Sequence, residues 1–262
     1  MLTTRTEHFD AMFGTFGAVF EKFSSKDGPT RPARVFELAL WGPAQISDFL
    51  GQAYATTDLD ERERDYLRQL REAFAGEAWR ELYGDVATHP LFLQFIVDEA
   101  LDGGLRKASR TSLLSGWVER KIRRDLVSWA PGSRTSRASV DPTLDVADYV
   151  ARMMELMENV AGLMVEAAAS GVALRESIEA EAVTAEARKI FGGSGEQIVA
   201  ILLTSILVSH GPRQGRSLRV SFILRIFQEY FTALHVLRRG QRPDVYPEAV
   251  KSFYDELSVD KT

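Results

Sequence analysis

The chain has 262 residues, 45% of them hydrophobic, and a formal net charge of −5, so it is long enough for one large or two small buried cores and carries no general attraction for nucleic acid or anionic lipid. The absence of cysteine excludes disulfides, thiolate catalysis and thiolate zinc sites. The longest apolar run, 198–208, is too short to cross a bilayer, and charged residues interrupt the first 20 positions. The sequence therefore predicts a soluble, cytoplasmic protein.

The first half of the chain shows the 3.6-residue spacing of amphipathic helices. Helices are predicted at 43–54, 60–83, 91–101 and 112–129. The third of these follows Pro90, a residue that suits the first turn of a helix, and stops at a pair of glycines. A short strand is predicted before them, at 35–40. This half is therefore expected to form a helical bundle.

Residues 130–139 are rich in turn formers and lack apolar periodicity, which predicts a linker and the main domain boundary. A long methionine-rich helix is predicted after it at 144–169, and a further helix near the C-terminus at 226–237. Between them, 206–209 and 218–222 have the character of the two arms of a β-hairpin. Helices followed by a hairpin and another helix suggest a winged helix.

The predicted fold class is mainly α, with a helical lid bundle, a winged-helix-like domain that contains a short β-hairpin, and a residual α/β edge at the N-terminus. The predicted boundaries are 1–42 for the remnant of a nucleotide-binding core, 43–130 for the lid, 140–240 for the winged helix and 241–262 for a tail.

Four segments, in this order and spacing, resemble the later half of the NACHT family of STAND NTPases. Residues 2–9 look like its sensor strand, an apolar run that ends in Thr-x-Arg at Arg5. Residues 36–50 are similar to the start of its helical lid domain, and 88–93 to a lid motif in which a proline precedes an apolar helix. The most specific segment resembles the family's winged-helix signature and comprises Phe222, Arg225, Phe227, Gln228, Glu229, Tyr230 and Phe231.

The resemblance implies the nucleotide-sensing, regulatory half of a signalling switch. Arg5 would sense the γ-phosphate through its guanidinium fork, Pro90 would pack near the adenine, and the signature residues would be mainly structural. An intact relative would hold ATP or ADP with Mg²⁺, but no Gly-x-x-x-x-Gly-Lys-Ser/Thr phosphate loop occurs in the 262 residues. We therefore expect no catalytic residue and no cofactor in this chain alone. The missing loop indicates that the chain is a fragment, that its start is misplaced, or that the protein has lost its ATPase core.

Two patterns imitate functional sites, and one position departs from the family's pattern. Residues 95–99 end in two acids like a magnesium-binding strand, but their spacing after Pro90 fits a helix. The glycine-rich 192–195 lacks the lysine of a phosphate loop and is interpreted as a loop. Leu224 stands where the family often has a histidine that touches the β-phosphate of ADP, and leucine has no donor. The four histidines lack the spacing of metal ligands, so no metal site is predicted.

The alternative function is a non-enzymatic adaptor that binds a protein partner or DNA through its winged helix. Basic residues cluster around the fourth predicted helix: Arg106, Lys107, Arg110, Arg120, Lys121, Arg123, Arg124, Arg134 and Arg137. Because the whole chain is acidic, we interpret them as a solvated helix face and linker. The expected partners are a missing N-terminal NTPase half, a second copy of the chain or another protein, but neither nucleic acid nor a membrane.

Overall fold

The computed structural model describes residues 40–56, 59–76, 78–127, 145–168, 171–210 and 218–259. The chain divides into two units, Met1–Leu40 and Trp41–Thr262, and the elements below all belong to the second. The predicted sensor segment with Arg5, the predicted strand at 35–40 except for Leu40, and the predicted linker at 130–139 lie outside the described residues.

The first part of the second unit is a helical body built from amphipathic helices. Its elements are α1 (Pro43–Thr56), α2 (Glu61–Ala75), α3 (Ala78–Tyr83), α4 (Pro90–Gly103) and α5 (Arg110–Val127). Asp60 caps α2 in a capping box with Glu63, which fixes where that helix starts. The single helix predicted at 60–83 is instead two, because α2 ends at Ala75, where Gly76 takes an extended conformation, and α3 begins at Ala78.

The second part has the strand and helix order of a winged helix. Its elements are α6 (Val146–Leu163), β1 (Val165–Ala168), β2 (Gly171–Leu174), β3 (Ile178–Glu179), α7 (Ala180–Phe191), α8 (Gly195–Ser205), β4 (Leu207–His210), β5 (Arg219–Phe222) and α9 (Arg225–Arg238). The antiparallel sheet runs β3-β5-β4, with Leu207 opposite Phe222 and Ile178 opposite Val220. The predicted hairpin is confirmed, as is the mainly α fold with a short β-hairpin.

The prediction that the long helix continues to residue 169 is wrong beyond Leu163. There the chain turns into the β1–β2 hairpin, in which Val165 faces Leu174. Alanine-rich sequence favours a helix on propensity alone, but tertiary contacts override it. The Arg175 N–H donates to the Met164 carbonyl at 2.7 Å, and Gly171 begins β2 with φ +134°, a conformation that other residues rarely adopt.

The segment 241–262, interpreted from sequence as a tail, contains the helix α10 (Glu248–Val259). Val250 and Phe253 on this helix are fully buried. Buried apolar side chains of the helical body, of the winged helix and of α10 belong to one continuous core. The two predicted modules are therefore packed together within the second unit.

Candidate functional site

Pro90 lies at an exposed corner where α4, an apolar helix of the helical body, begins. It occupies the first turn of α4 behind His89, and both residues are exposed. The corner is ordered by backbone bonds, because the Trp41 N–H donates to the Thr88 carbonyl at 2.8 Å and the His89 N–H donates to the Val86 carbonyl at 3.2 Å. Pro90 thus starts a helix, a role that proline has in many proteins. Its ring faces outward beside the first residues of the second unit.

The polar residues of the winged-helix signature hold the β1–β2 hairpin against α9. Arg225 donates to the Leu174 carbonyl at 3.3 Å and to the Gln228 side chain at 2.9 Å. The buried Gln228 amide donates in turn to the Arg175 carbonyl at 2.7 Å. Arg225 also pairs with Glu229 one turn along the helix, at 3.3 Å. These contacts satisfy backbone carbonyls at the end of β2, which gives the signature a structural role.

The aromatic residues of the signature join the winged helix to the helical body. Phe227 stacks on Trp117 of α5 with ring centroids 5.2 Å apart, and it also contacts Phe95 of α4 at 6.4 Å. Phe231 stacks on Phe222 of β5 at 5.8 Å. Phe227, Tyr230 and Phe231 are all buried, so the prediction that they form core rather than an exposed recognition face is confirmed.

Tyr230 on α9 is buried and interacts with polar side chains of α5 and α6, namely Ser115, Glu119 and Glu158. Burial raises the pKa of Tyr230 to about 12, and the charges of Glu119 and Glu158 add to the shift, although a hydrogen bond with Ser115 opposes it. The phenol is therefore neutral at physiological pH. Glu158 is itself buried and forms an ion pair with the exposed Arg238 at 3.2 Å, so its carboxylate charge is compensated as a buried charge must be.

The two patterns that imitate functional sites, and Leu224, all lie within the described residues. Residues 95–99 lie inside α4, with Phe95 and Ile96 buried, so they are not a metal-binding strand. Residues 192–194 form a short 3-10 turn that leads into α8, which begins at Gly195, and Gly195 packs closely on the backbone of Arg188. Leu224 is the residue that precedes α9, half-buried and with extended backbone, and it offers no side-chain donor to a phosphate.

The basic cluster is divided by the fold. Arg110 pairs with Glu256 of α10, and Arg120 pairs with Glu99 of α4, while Arg123 and Arg124 are exposed. Helix α8 corresponds to the helix that enters the major groove in DNA-binding winged helices. Its only charged residue is Glu196, and most of its aliphatic side chains are buried. The described surface therefore has no basic recognition helix.

Two contacts involve residues that sequence analysis did not connect. The ring of His235 lies directly against the backbone of Gly162, where α9 crosses α6. Burial, with the charges of Arg239 and Arg238, lowers the pKa of His235. The second contact joins Arg110 to Glu256, 146 residues later in the chain. The apolar spacing of Val250 and Phe253 was the available signal that 248–259 forms a packed helix.

Comparison with known protein families, curated proteins and solved structures finds nothing that matches this chain. Within the described ranges, no group of three or more histidine, aspartate or glutamate side chains is arranged to hold a metal ion. The helices in these ranges also include none that combines the length and the apolar character needed to span a membrane.

Proposed function

We propose that the chain is the nucleotide-sensing, regulatory half of a NACHT-like switch, located in the cytoplasm. In this proposal the helical body is the lid domain, and the winged helix is the module that follows it. ATP or ADP with Mg²⁺ would be gripped at its phosphates by a phosphate loop, a motif that the 262 residues do not contain. The chain itself would contribute Pro90 near the adenine and Arg5 near the γ-phosphate.

The observation that carries the proposal is the corner at Pro90. Its ring is exposed, whereas Ala87 before it and Phe92 after it are buried. The Trp41–Thr88 bond ties this corner to the first residues of the second unit.

The aromatic stack supports a particular kind of movement. Phe227 is fully buried against Trp117 and Phe95, so parting the lid from the winged helix would expose a large aromatic surface to water. We therefore propose that the two modules move as one body relative to the part of the protein that holds the phosphates. The nucleotide would shift the population of two such positions through contacts made in only one of them.

Calorimetry with ATP and with ADP in the presence of Mg²⁺ tests whether the phosphates are gripped by a loop outside these 262 residues. Phosphate loops supply most of the grip through backbone N–H groups and a lysine, so we expect binding to the full 262-residue chain weaker than micromolar, and no turnover of ATP. A micromolar dissociation constant would show that the chain has a phosphate site of its own, and would overturn this proposal.

The second candidate is an adaptor that binds a protein partner through the winged helix. Val208 on β4 is 37% exposed, and Ile223, directly after β5, is 53% exposed. Exposed apolar side chains favour a protein partner rather than DNA. The lack of a basic residue on α8 points the same way. Titration with a mixed-sequence DNA duplex at low salt separates the classes: measurable, salt-dependent binding would favour a nucleic-acid adaptor.

A further inference from the structure

Helices α1 and α2 pack against each other and leave a hollow of about 610 Å³ beside their contact. This volume is within the range of about 300–1,000 Å³ found for small-ligand sites. The floor of the hollow is apolar, because it is lined by the buried Leu50 and the half-buried Phe74. Two alanines that also line it, Ala44 on α1 and Ala75 on α2, are exposed and too small to fill it. The hollow therefore has room for an apolar group from solution.

One side of the hollow is basic. Arg68 and Arg71 of α2 both line it, since residues three apart lie on the same side of a helix. Ser47 of α1 adds a hydroxyl, and Glu72 contributes the one carboxylate among the described residues that line the hollow. Two guanidiniums and one carboxylate leave a single net positive charge. Because guanidinium N–H groups bind the two oxygens of a carboxylate as a fork, this side favours a ligand with one negative charge.

Arg68 can bind such a ligand because its interaction with its present partner is weak. It pairs with Asp65 one turn earlier in α2, and the two side chains are 65% and 43% exposed. Ion pairs this exposed contribute little to stability and are screened by salt. Asp65 also accepts a hydrogen bond from Gln69 at 2.8 Å, so it keeps a partner when Arg68 turns towards the hollow. A ligand carboxylate can therefore replace Asp65 at small cost.

We propose that this hollow binds a small organic carboxylate whose apolar part is about the size of an aromatic ring. The apolar part lies on Leu50 and Phe74, and the carboxylate accepts hydrogen bonds from Arg68 and Arg71. A phosphate monoester fits less well, since it carries nearly two negative charges against one net positive charge. The site uses neither Arg5 nor Pro90, so it stands or falls independently of nucleotide sensing.

Fluorine NMR of para-fluorobenzoate mixed with the full chain tests the site. We expect saturable binding with a dissociation constant on the order of 1 mM, as for a fragment of this size. The uncharged para-fluorobenzamide has the same shape and should bind about tenfold more weakly, because the charge-assisted hydrogen bonds are lost. Arg71→Gln should weaken benzoate binding by a similar factor. The matched control is Arg64→Gln, an exposed arginine of the same helix that does not line the hollow, and it should match the wild type.

A second pair of variants tests the apolar part of the site with every charge left in place. Ala44→Leu fills the hollow with a residue that favours a helix, and should weaken benzoate binding about tenfold as the apolar contact is lost. Ala55→Leu, at an exposed alanine of the same helix outside the hollow, should not.

Three results would overturn the proposal. The first is no benzoate binding up to about 10 mM, well above the expected constant. The second is equal affinity for benzamide, which would mean that the arginines do not recognise the carboxylate. The third is an unchanged affinity in Ala44→Leu, or an equal loss in Arg64→Gln and Arg71→Gln, which would place the benzoate elsewhere on the surface.

Discussion

The ring of Phe227 on α9 stacks on the indole of Trp117 on α5, with centroids 5.2 Å apart and planes inclined by 21°. Phe227 has no exposed surface. Helix α9 therefore contacts two parts of the unit. Its polar residues bind the β1–β2 hairpin, and its aromatic residues pack against the helical body. The joint between the helical body and the winged helix is an interior rather than a surface contact.

Replacing Phe227 with alanine should remove the central ring of this joint. Truncating a fully buried phenylalanine costs about 3–5 kcal/mol through lost burial and the cavity left behind. Urea unfolding followed by tryptophan fluorescence measures the loss. Ile223→Ala, at a side chain that is 53% exposed, is the control and should change the free energy of unfolding little. A Phe227→Ala protein as stable as the wild type would mean that the stack does not hold the modules together.

Gly162 and Gly51 form a matched pair of helical glycines with opposite surroundings. A Cβ at Gly162 would overlap the ring of His235, whereas nothing lies within 4 Å of the position at Gly51. We expect Gly162→Ala to lower stability by about 1 kcal/mol or more, since the half-buried ring must move. Gly51→Ala should instead raise stability by about 0.5–1 kcal/mol. Thermal or urea unfolding measures the stability of both variants. A Gly162→Ala protein more stable than the wild type would show that α6 and α9 are not in close contact there.

His235 predicts a pH dependence of stability. Burial, Arg239 and Arg238 lower its pKa in the folded chain, so between that value and the unfolded value near 6.5 the unfolded state binds more protons. The contribution of neutral His235 is therefore complete above pH about 6.5 and is lost as the pH falls through the folded pKa. His235→Gln removes the titration. As the pH falls, the wild type should therefore lose stability relative to His235→Gln. A stability difference between the two proteins that does not change with pH would contradict the buried environment of His235.

The sequence predicts those elements whose apolar spacing is regular and locally capped. Helices α1, α4 and α9 and the β4–β5 hairpin lie where periodicity and turn residues indicate them. Residues 95–99 are helical for the same reason, since Pro90 starts the helix and the apolar spacing continues it.

The remaining elements depend on partners far away in the sequence. The β1–β2 hairpin exists in alanine-rich sequence because Arg225 and Gln228 donate to the Leu174 and Arg175 carbonyls, more than 50 residues later. The hydrogen bond that Glu256 accepts from the Thr111 N–H at the start of α5 is a contact of the same kind. No local pattern encodes such pairs. Of the predicted sensing residues, the structure describes Pro90, which is exposed in the first turn of α4.

The most direct test of nucleotide sensing is an NMR titration of the full chain, labelled in histidine, with ATP and Mg²⁺. The four histidines include His89, which adjoins Pro90 on the exposed corner, and His235, which is half-buried between α6 and α9. His89→Gln assigns the first signal, and tripolyphosphate controls for phosphate charge. If Pro90 meets the adenine, ATP shifts the His89 signal progressively over the millimolar range expected for weak binding, tripolyphosphate does not, and His235 stays in place. A His89 signal that ATP leaves unmoved, or that tripolyphosphate moves equally, would contradict nucleotide sensing at Pro90.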